Sequence, residues 1–366
     1  MPSPAASTPV EGRLLDQQHL RFGVLLNMGA SLSPTPEAVF DLTLEQATTA
    51  EQLGYAELWV TEHHFIRFGI NPSAPTTAAF LLGRTTRISV GTAVVLSPLY
   101  HPVELAERAA VLDQFSHGRF MLGLGRGGYR RDYEVLGVDF ARWNDEPQAA
   151  AKRLLDVWTT PSGVSTSTDD VDVQPPARTR PHPELLLATS STPGVEFAAR
   201  NGLALQHYFA TPTAPRVELG ARYRELRGGD HPMSAHLHTL IVIVDDASDR
   251  RDQLEAALRR SFRDGDHPLV PQATNRHVGP DGKPVAWDAM ATLVAENAIV
   301  GPPNQVVDEL GRFIESTGAR RIAIYHEAIA DPATTMRSLR DFALFVAPQL
   351  AVPVERRGIR HRNAHI

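Results

Sequence analysis

The sequence predicts an α/β chain closed into a (β/α)8 TIM barrel, and three observations carry that expectation. Short apolar runs alternate with helical patterns at intervals of about 30 residues, the sequence form of right-handed βαβ units and a parallel sheet. Eight such runs begin near residues 21, 56, 87, 119, 184, 204, 236 and 321. Eight units fit a barrel better than a doubly wound sheet, which has fewer strands and an early G-x-G-x-x-G. The length of 366 residues suits either two average domains or one such barrel.

Each element has its own signature. RFGVLLNMG is a short apolar run ending in glycine, and the following PEAVFDLTLEQATTAEQLG spaces its apolar residues helically, with Gly54 as the stop. ELWVTEHH, RISVGTAVVL and RFMLGLG read as strands, separated by the helices SAPTTAAFLLGRT and HPVELAERAAVLDQFS. The alternation resumes with ELLLATS, STPGVEFAARNG, ALQHYF and APRVELGARYRELRG. AHLHTLIVIV reads as one strand and SDRRDQLEAALRRSF as a helix, and NQVVDELGRFIESTG, RRIAIYHE and ATTMRSLRDFALFV close the set. The polar, Pro-rich residues 159–183 and the stretch 264–284 interrupt the pattern as insertions after the fourth and seventh βα units, where loops often serve as lids. The expected organisation is a disordered leader at 1–18, a single barrel domain at 19–350 and a solvated basic tail at 351–366.

Composition narrows the chemistry. The chain has no cysteine, so disulfides, thiolate metal sites and a cysteine nucleophile are excluded. Thirty-six Lys and Arg against 42 Asp and Glu give a formal charge of −6, which speaks against nucleic acid as a partner. No apolar run is long enough to span a bilayer, and the first residues lack a basic and hydrophobic leader pattern. A cytoplasmic location without membrane contact is expected.

In a barrel of this kind, chemistry sits at the C-terminal ends of the strands. After the second run come Thr61, Glu62, His63, His64 and Phe65. Adjacent side chains on extended chain point oppositely, so one histidine faces the mouth and the two do not share a metal. The mouth-facing one suits either acid/base chemistry or a hydrogen-bonded structural role. After the fourth run, Gly123 to Gly128 surround Arg126, a pattern that fits a phosphate grip or a plain flexible loop. Thr189, Ser190, Ser191 and Gly194 lead into a helix, and hydroxyls with free N–H groups at a helix start make either an anion site or an ordinary cap. The two loops are adjacent, and their convergence favours a phosphate. His236 and His238 share a strand face, with Asp245 and Asp246 beyond the run's end and no third ligand at useful spacing. No metal is expected. Gly91 to Val95 are small residues where either a flat ligand or a dense barrel layer fits.

The segment from WVTEHHF through NP, VGTA and HPV to LDQFSHGRF, followed by GLGRGGY, resembles the bacterial luciferase-like flavin monooxygenases. The likeness is dense from about residue 20 to 140, weaker through 184–210 and 300–350, and absent from the insertions. It implies a barrel that takes reduced FMN from a separate flavin reductase, forms a C4a-peroxyflavin with O2 and oxidises a small organic substrate, as in secondary metabolism. By this resemblance His63 is the catalytic histidine, Ala93 and Val94 form a non-proline cis peptide against the flavin, and Arg126, Ser190, Ser191 and Gly194 hold the phosphate. Phe65, Tyr129, His207 and His238 are the candidates for the substrate pocket. A homodimer is also implied. Three departures stand out: Gly125 occupies the place of a reactive cysteine, the carboxylate of the family's phosphate loop has no counterpart at Ser190, and Asn144 takes the place of a second arginine; because of the Gly125 change, light emission is not expected. Two alternatives share the fold. One is hydride transfer from a reduced deazaflavin, whose acidic tail needs a basic channel beyond Arg126, including Arg130 and Arg131. The other is a non-catalytic partner subunit, against which EHHF argues.

Overall fold

Each of the eight expected runs forms a strand, because each is short, apolar and bounded by glycine, polar or proline-containing turns. In a computed structural model of the chain, the strands are β1 (Arg21–Leu26), β2 (Glu57–Val60), β3 (Ser89–Thr92), β4 (Phe120–Gly125), β5 (Glu184–Leu187), β6 (Ala204–His207), β7 (Leu237–Leu240) and β8 (Arg321–Ile324). The residues described are 20–144, 147–159, 173–228, 236–265 and 286–350, with the pairs 164–165 and 170–171. Leader, tail, residues 160–163, 166–169 and 172 of the first insertion and most of the second lie outside them.

All neighbouring strands pair in parallel, and β8 pairs with β1 and β7, which closes the barrel. Side chains alternate between two apolar layers, as the two-residue strand period requires. Leu25, Trp59, Met121, Leu186, Leu237 and Ala323 share the inner cluster. Val24, Leu58, Leu122, Leu187, Leu205 and Ile322 face the helices.

The helices between strands begin as their sequences direct. Thr35, Ser73 and Ser191 accept hydrogen bonds from backbone N–H groups three residues on, at the starts of α1 (Pro36–Gln52), α2 (Ala74–Arg84) and α6 (Thr192–Asn201). Proline occupies the first turn in each case, where its missing N–H costs nothing. In chain order α3 (Pro102–Ser116), a short α4 (Arg130–Leu136) and α5 (Pro147–Thr159) precede α6, and α7 (Thr213–Arg227) follows it.

The seventh unit departs from expectation. The run read as one strand breaks at Ile241: β7 ends at Leu240, and Val242–Val244 pairs instead with Ile299–Gly301 outside the barrel. This small parallel sheet carries α8 (Arg250–Gly265) and α9 (Trp287–Asn297), and α10 (Pro303–Thr317) then returns to β8.

At the N-terminal end the barrel is floored by charge. Buried Arg321 donates from Nε to both Glu57 oxygens at 2.9 Å, pairs with Glu184 and lies 4.9 Å from the centre of the Trp59 ring. Arg21 adds a second cation to Glu57 at 3.1 Å. The opposite, C-terminal end is open. Among the described residues, no helix is long and apolar enough to cross a membrane.

Candidate functional site

A cavity of about 500 Å³ opens at the C-terminal ends of the strands, within the usual range for small-molecule sites. Its first wall comes from the loop after β2. Glu62 is buried and accepts from Ala74 N at 2.8 Å, Leu96 N at 3.0 Å and Tyr100 Oη at 2.9 Å. Burial still raises this carboxyl to about 7. Asn71 clamps the same loop: its Nδ2 donates to Thr61 O at 2.7 Å and its carbonyl accepts from His63 N at 2.9 Å. The His63 ring stands edge-on to Phe68, 5.2 Å between centres, and over Gly69, where a Cβ would lie 2.4 Å from its Cδ2. His63 faces the cavity and His64 turns toward Glu62, the opposite pointing expected of neighbours. Burial, with a smaller effect from His64, lowers the His63 imidazole to about 4, so it is neutral at pH 7.

The second wall is backbone. The Ala93–Val94 peptide after β3 is cis, and both residues line the cavity. Gly125 lies against them, its missing Cβ replaced by Val94 Cγ2, which would be 2.4 Å away.

The polar end is formed by two loops. Arg126 is the sole Lys or Arg on the wall among the described residues, and its guanidinium lies 4.0 Å from the centre of the Trp143 ring. Tyr133 Oη donates to Arg126 O at 3.0 Å, and Trp143 Nε1 to Gly127 O at 3.3 Å, which fixes the Gly-rich turn. Gly127 needs its glycine, with φ at +71°. Thr189, Ser190 and Ser191 line the same cavity, so the structure brings the two loops together. Ser191 Oγ caps α6 by accepting from Gly194 N at 3.2 Å.

Three expected site residues lie off the cavity wall. Gly194 sits behind it, its N–H already given to Ser191, and a Cβ there would meet Thr189 Oγ1 at 2.2 Å. Phe65 has φ at +56°, which turns it outward, 44% exposed, beneath the Arg131 guanidinium. His238 is on the helix-facing side of β7, because residues 237 and 239 take the inward positions of the strand period. It stacks 4.5 Å from His207 and edge-on to Phe313. Tyr129 and His207 do line the cavity. Asn144 lies at the end of a short 3-10 turn, Phe140–Asn144.

The remaining lining residues were not legible as site residues. Phe262 and Met290, with Trp287, come from α8 and α9 and extend an aromatic wall from Phe68: Phe68–Phe262 and Phe262–Trp287 are 6.0 and 5.8 Å apart. The spacing of Met290, Ala291, Val294 and Ala295 signals the α9 helix, yet nothing local signals its place at the mouth. Asp132 is buried on the wall, its carboxyl raised to about 7 by burial. Gln206 projects from inside β6. Among the described residues, no cluster of three or more His, Asp or Glu is arranged for a metal.

Comparison with known proteins gives this geometry its context. The family model described as luciferase-like monooxygenase matches residues 20–321. The alkanal monooxygenase alpha chain of Photobacterium leiognathi is 27% identical over 354 residues, covering 89% of this chain and 99% of that one. The 4-hydroxyprotoasukamycin monooxygenase of Streptomyces nodosus subsp. asukaensis is 30% identical over 352 residues, covering 91% and 92%. Among solved structures, monooxygenase RslO1 from Streptomyces bottropensis superposes with a TM-score of 0.76 at 22% identity, over 91% of this chain and all of that one. The fold is also shared by an FMN complex of a Baeyer-Villiger monooxygenase from Pseudomonas putida (TM-score 0.69, 19% identity, 91% and 100% covered) and by an F420-dependent secondary alcohol dehydrogenase (0.67, 17%, 92% and 100%). With a family model across most of its length, and two such relatives across nearly all of it, the chain belongs to the luciferase-like monooxygenases.

Proposed function

We propose that the chain is a flavin-dependent monooxygenase that takes reduced FMN from a separate reductase and, with O2, oxidises a small organic molecule, in the cytoplasm and as a homodimer. The observation that carries this reading is one cavity lined together by an arginine, a hydroxyl-bearing helix start, the small residues of a cis-peptide segment and several aromatic rings. The residues fit FMN. Arg126 with Ser190 and Ser191 would hold the phosphate, and the cradle of Ala93, Val94 and Gly125 offers a flat ring backbone and small side chains only. When bound, reduced flavin supplies the electrons and the centre at which oxygen is activated.

The chain's own groups do the rest. Neutral His63 accepts or holds a proton at a ring nitrogen facing the cavity. Phe68, Phe262, Trp287 and Met290 keep water from the reacting end. The deazaflavin alternative draws less support. Arg130, which its long acidic tail would need, pairs with Glu134 at 2.7 Å, and Arg131 donates to Phe65 O.

Anaerobic titration of the purified chain with FMNH2, followed by O2 and a defined metabolite mixture, tests the reading. Arg126→Ala should weaken FMNH2 binding about 10- to 100-fold, the worth of hydrogen bonds to a charged group. His63→Asn should leave binding intact, cut substrate oxidation about 100-fold and release more hydrogen peroxide. Uptake of reduced F420 in preference to FMNH2 would sink the assignment.

A further inference from the structure

Trp143 lies off the cavity wall, yet Arg126 rests on it. The Arg126 guanidinium is over the indole ring, 4.0 Å from its centre, and this half-buried side chain has no hydrogen-bond or ion-pair partner among the described residues. An unsupported arginine samples many rotamers, and a ligand that uses it must first stop that motion. Trp143 is itself fixed twice. Its Nε1 donates to Gly127 O at 3.3 Å, and its ring stacks on Phe140 with 6.0 Å between centres and 12° between planes. Phe140 in turn stands edge-on to Tyr133 at 5.4 Å and has the Arg130 guanidinium over its ring at 4.8 Å. Tyr133 Oη closes the circuit by donating to Arg126 O at 3.0 Å. Arg126, Arg130, Tyr133, Phe140 and Trp143 therefore form one connected cluster within the segment that follows β4.

We propose that Trp143 is a positioning residue for phosphate binding: it holds the Arg126 guanidinium by its face and leaves the N–H groups at its rim free for the phosphate of bound flavin. This rests on the flavin reading above. The two interactions use different parts of one group. A ring's negative face attracts the cation across its flat side, whereas the N–H donors of a guanidinium lie in its plane. A carboxylate support would occupy those donors and cancel the charge. An indole does neither, so Arg126 is steadied while its positive charge and its forked donors stay available to an anion.

The test is anaerobic equilibrium binding of FMNH2 and of reduced riboflavin, which has the same ring and no phosphate. Trp143→Leu should weaken FMNH2 binding about threefold to tenfold, the cost of immobilising one long side chain on binding, and leave reduced riboflavin unchanged. Trp143→Phe keeps an aromatic face and should recover most of the loss. In an Arg126→Ala background, Trp143→Leu should cost FMNH2 nothing more. Equal loss on the two flavins, which a merely structural role predicts, overturns the proposal, as does unchanged FMNH2 binding. Tighter FMNH2 binding in Trp143→Leu overturns it too, because the stack would then hold Arg126 away from the phosphate. If Trp143→Leu does not fold, Trp143→Phe decides: its weaker hold on a cation should cost about twofold, on FMNH2 alone. Any of these failures in a chain that still takes up FMNH2 defeats this inference alone; a wild-type chain that binds neither flavin defeats the functional reading as well.

Discussion

Gly125 has no room for a side chain, and the reason is Val94. The isopropyl group, 2.4 Å from where a Cβ would stand, occupies the volume that a cysteine would need. Glycine and valine therefore form a matched pair. Gly125→Cys alone should destabilise the fold by about 1–3 kcal/mol, the usual range for overpacking, and lower the melting temperature. Adding Val94→Ala should restore most of that loss; a single mutant as stable as the wild type would show that the loop yields freely. At this scale the sequence was partly readable. His63 and Arg126 sit in short motifs whose neighbours dictate their direction, and both face the cavity. Phe65 was misplaced because a left-handed φ at a non-glycine residue leaves no mark in the sequence. Gln206 was overlooked because one polar residue in a strand is ordinary, and only the closed barrel brings it to Thr92.

On β6 and β7, burial keeps imidazoles neutral. His207 and His238 stack together under α7 and α10, with His236 and the Phe313 ring against them, and desolvation lowers both well below 6.5. Their folded values lie below the unfolded one, so the stability they contribute is complete above about pH 6.5 and falls as the unfolded chain takes up protons. The loss is about 1.4 kcal/mol per imidazole for each pH unit below that point. Glu62 and Glu327, both raised to about 7 by burial, act in the opposite sense, their contribution disappearing as pH rises through 7. A double variant, His207→Phe with His238→Phe, isolates the histidine part. Urea unfolding between pH 6.5 and 5.5 should show a smaller acid loss in the variant than in the wild type, and equal slopes would contradict the account. The sequence placed His236 and His238 on one face but not which face, since a strand surrounded on both sides has no polar side to orient it. The break at Ile241 was hidden for the same reason: an unbroken apolar run cannot reveal that its second half pairs elsewhere.

Across the whole molecule, alternation of period made the eightfold barrel legible, because every helix and strand buries one face against the next layer. The ionic floor was not legible. Arg21, Glu57, Glu184 and Arg321 are 264 residues apart at the extreme of a single pair, and only closure unites them. Arg321→Met should cost about 3–5 kcal/mol, since it strands Glu57 and Glu184 without their buried partner. Replacing Glu57 and Glu184 by Gln in the same chain should recover part of this in urea denaturation; recovery absent, the loss belongs to packing around Trp59. The floor has a further consequence for traffic. Closed below, the cavity takes its ligands from the open C-terminal end, so two ligands sharing it would queue: the one lodged deeper arrives first and departs last. On the flavin reading proposed above, the cofactor would enter first and the substrate would follow it past the aromatic wall.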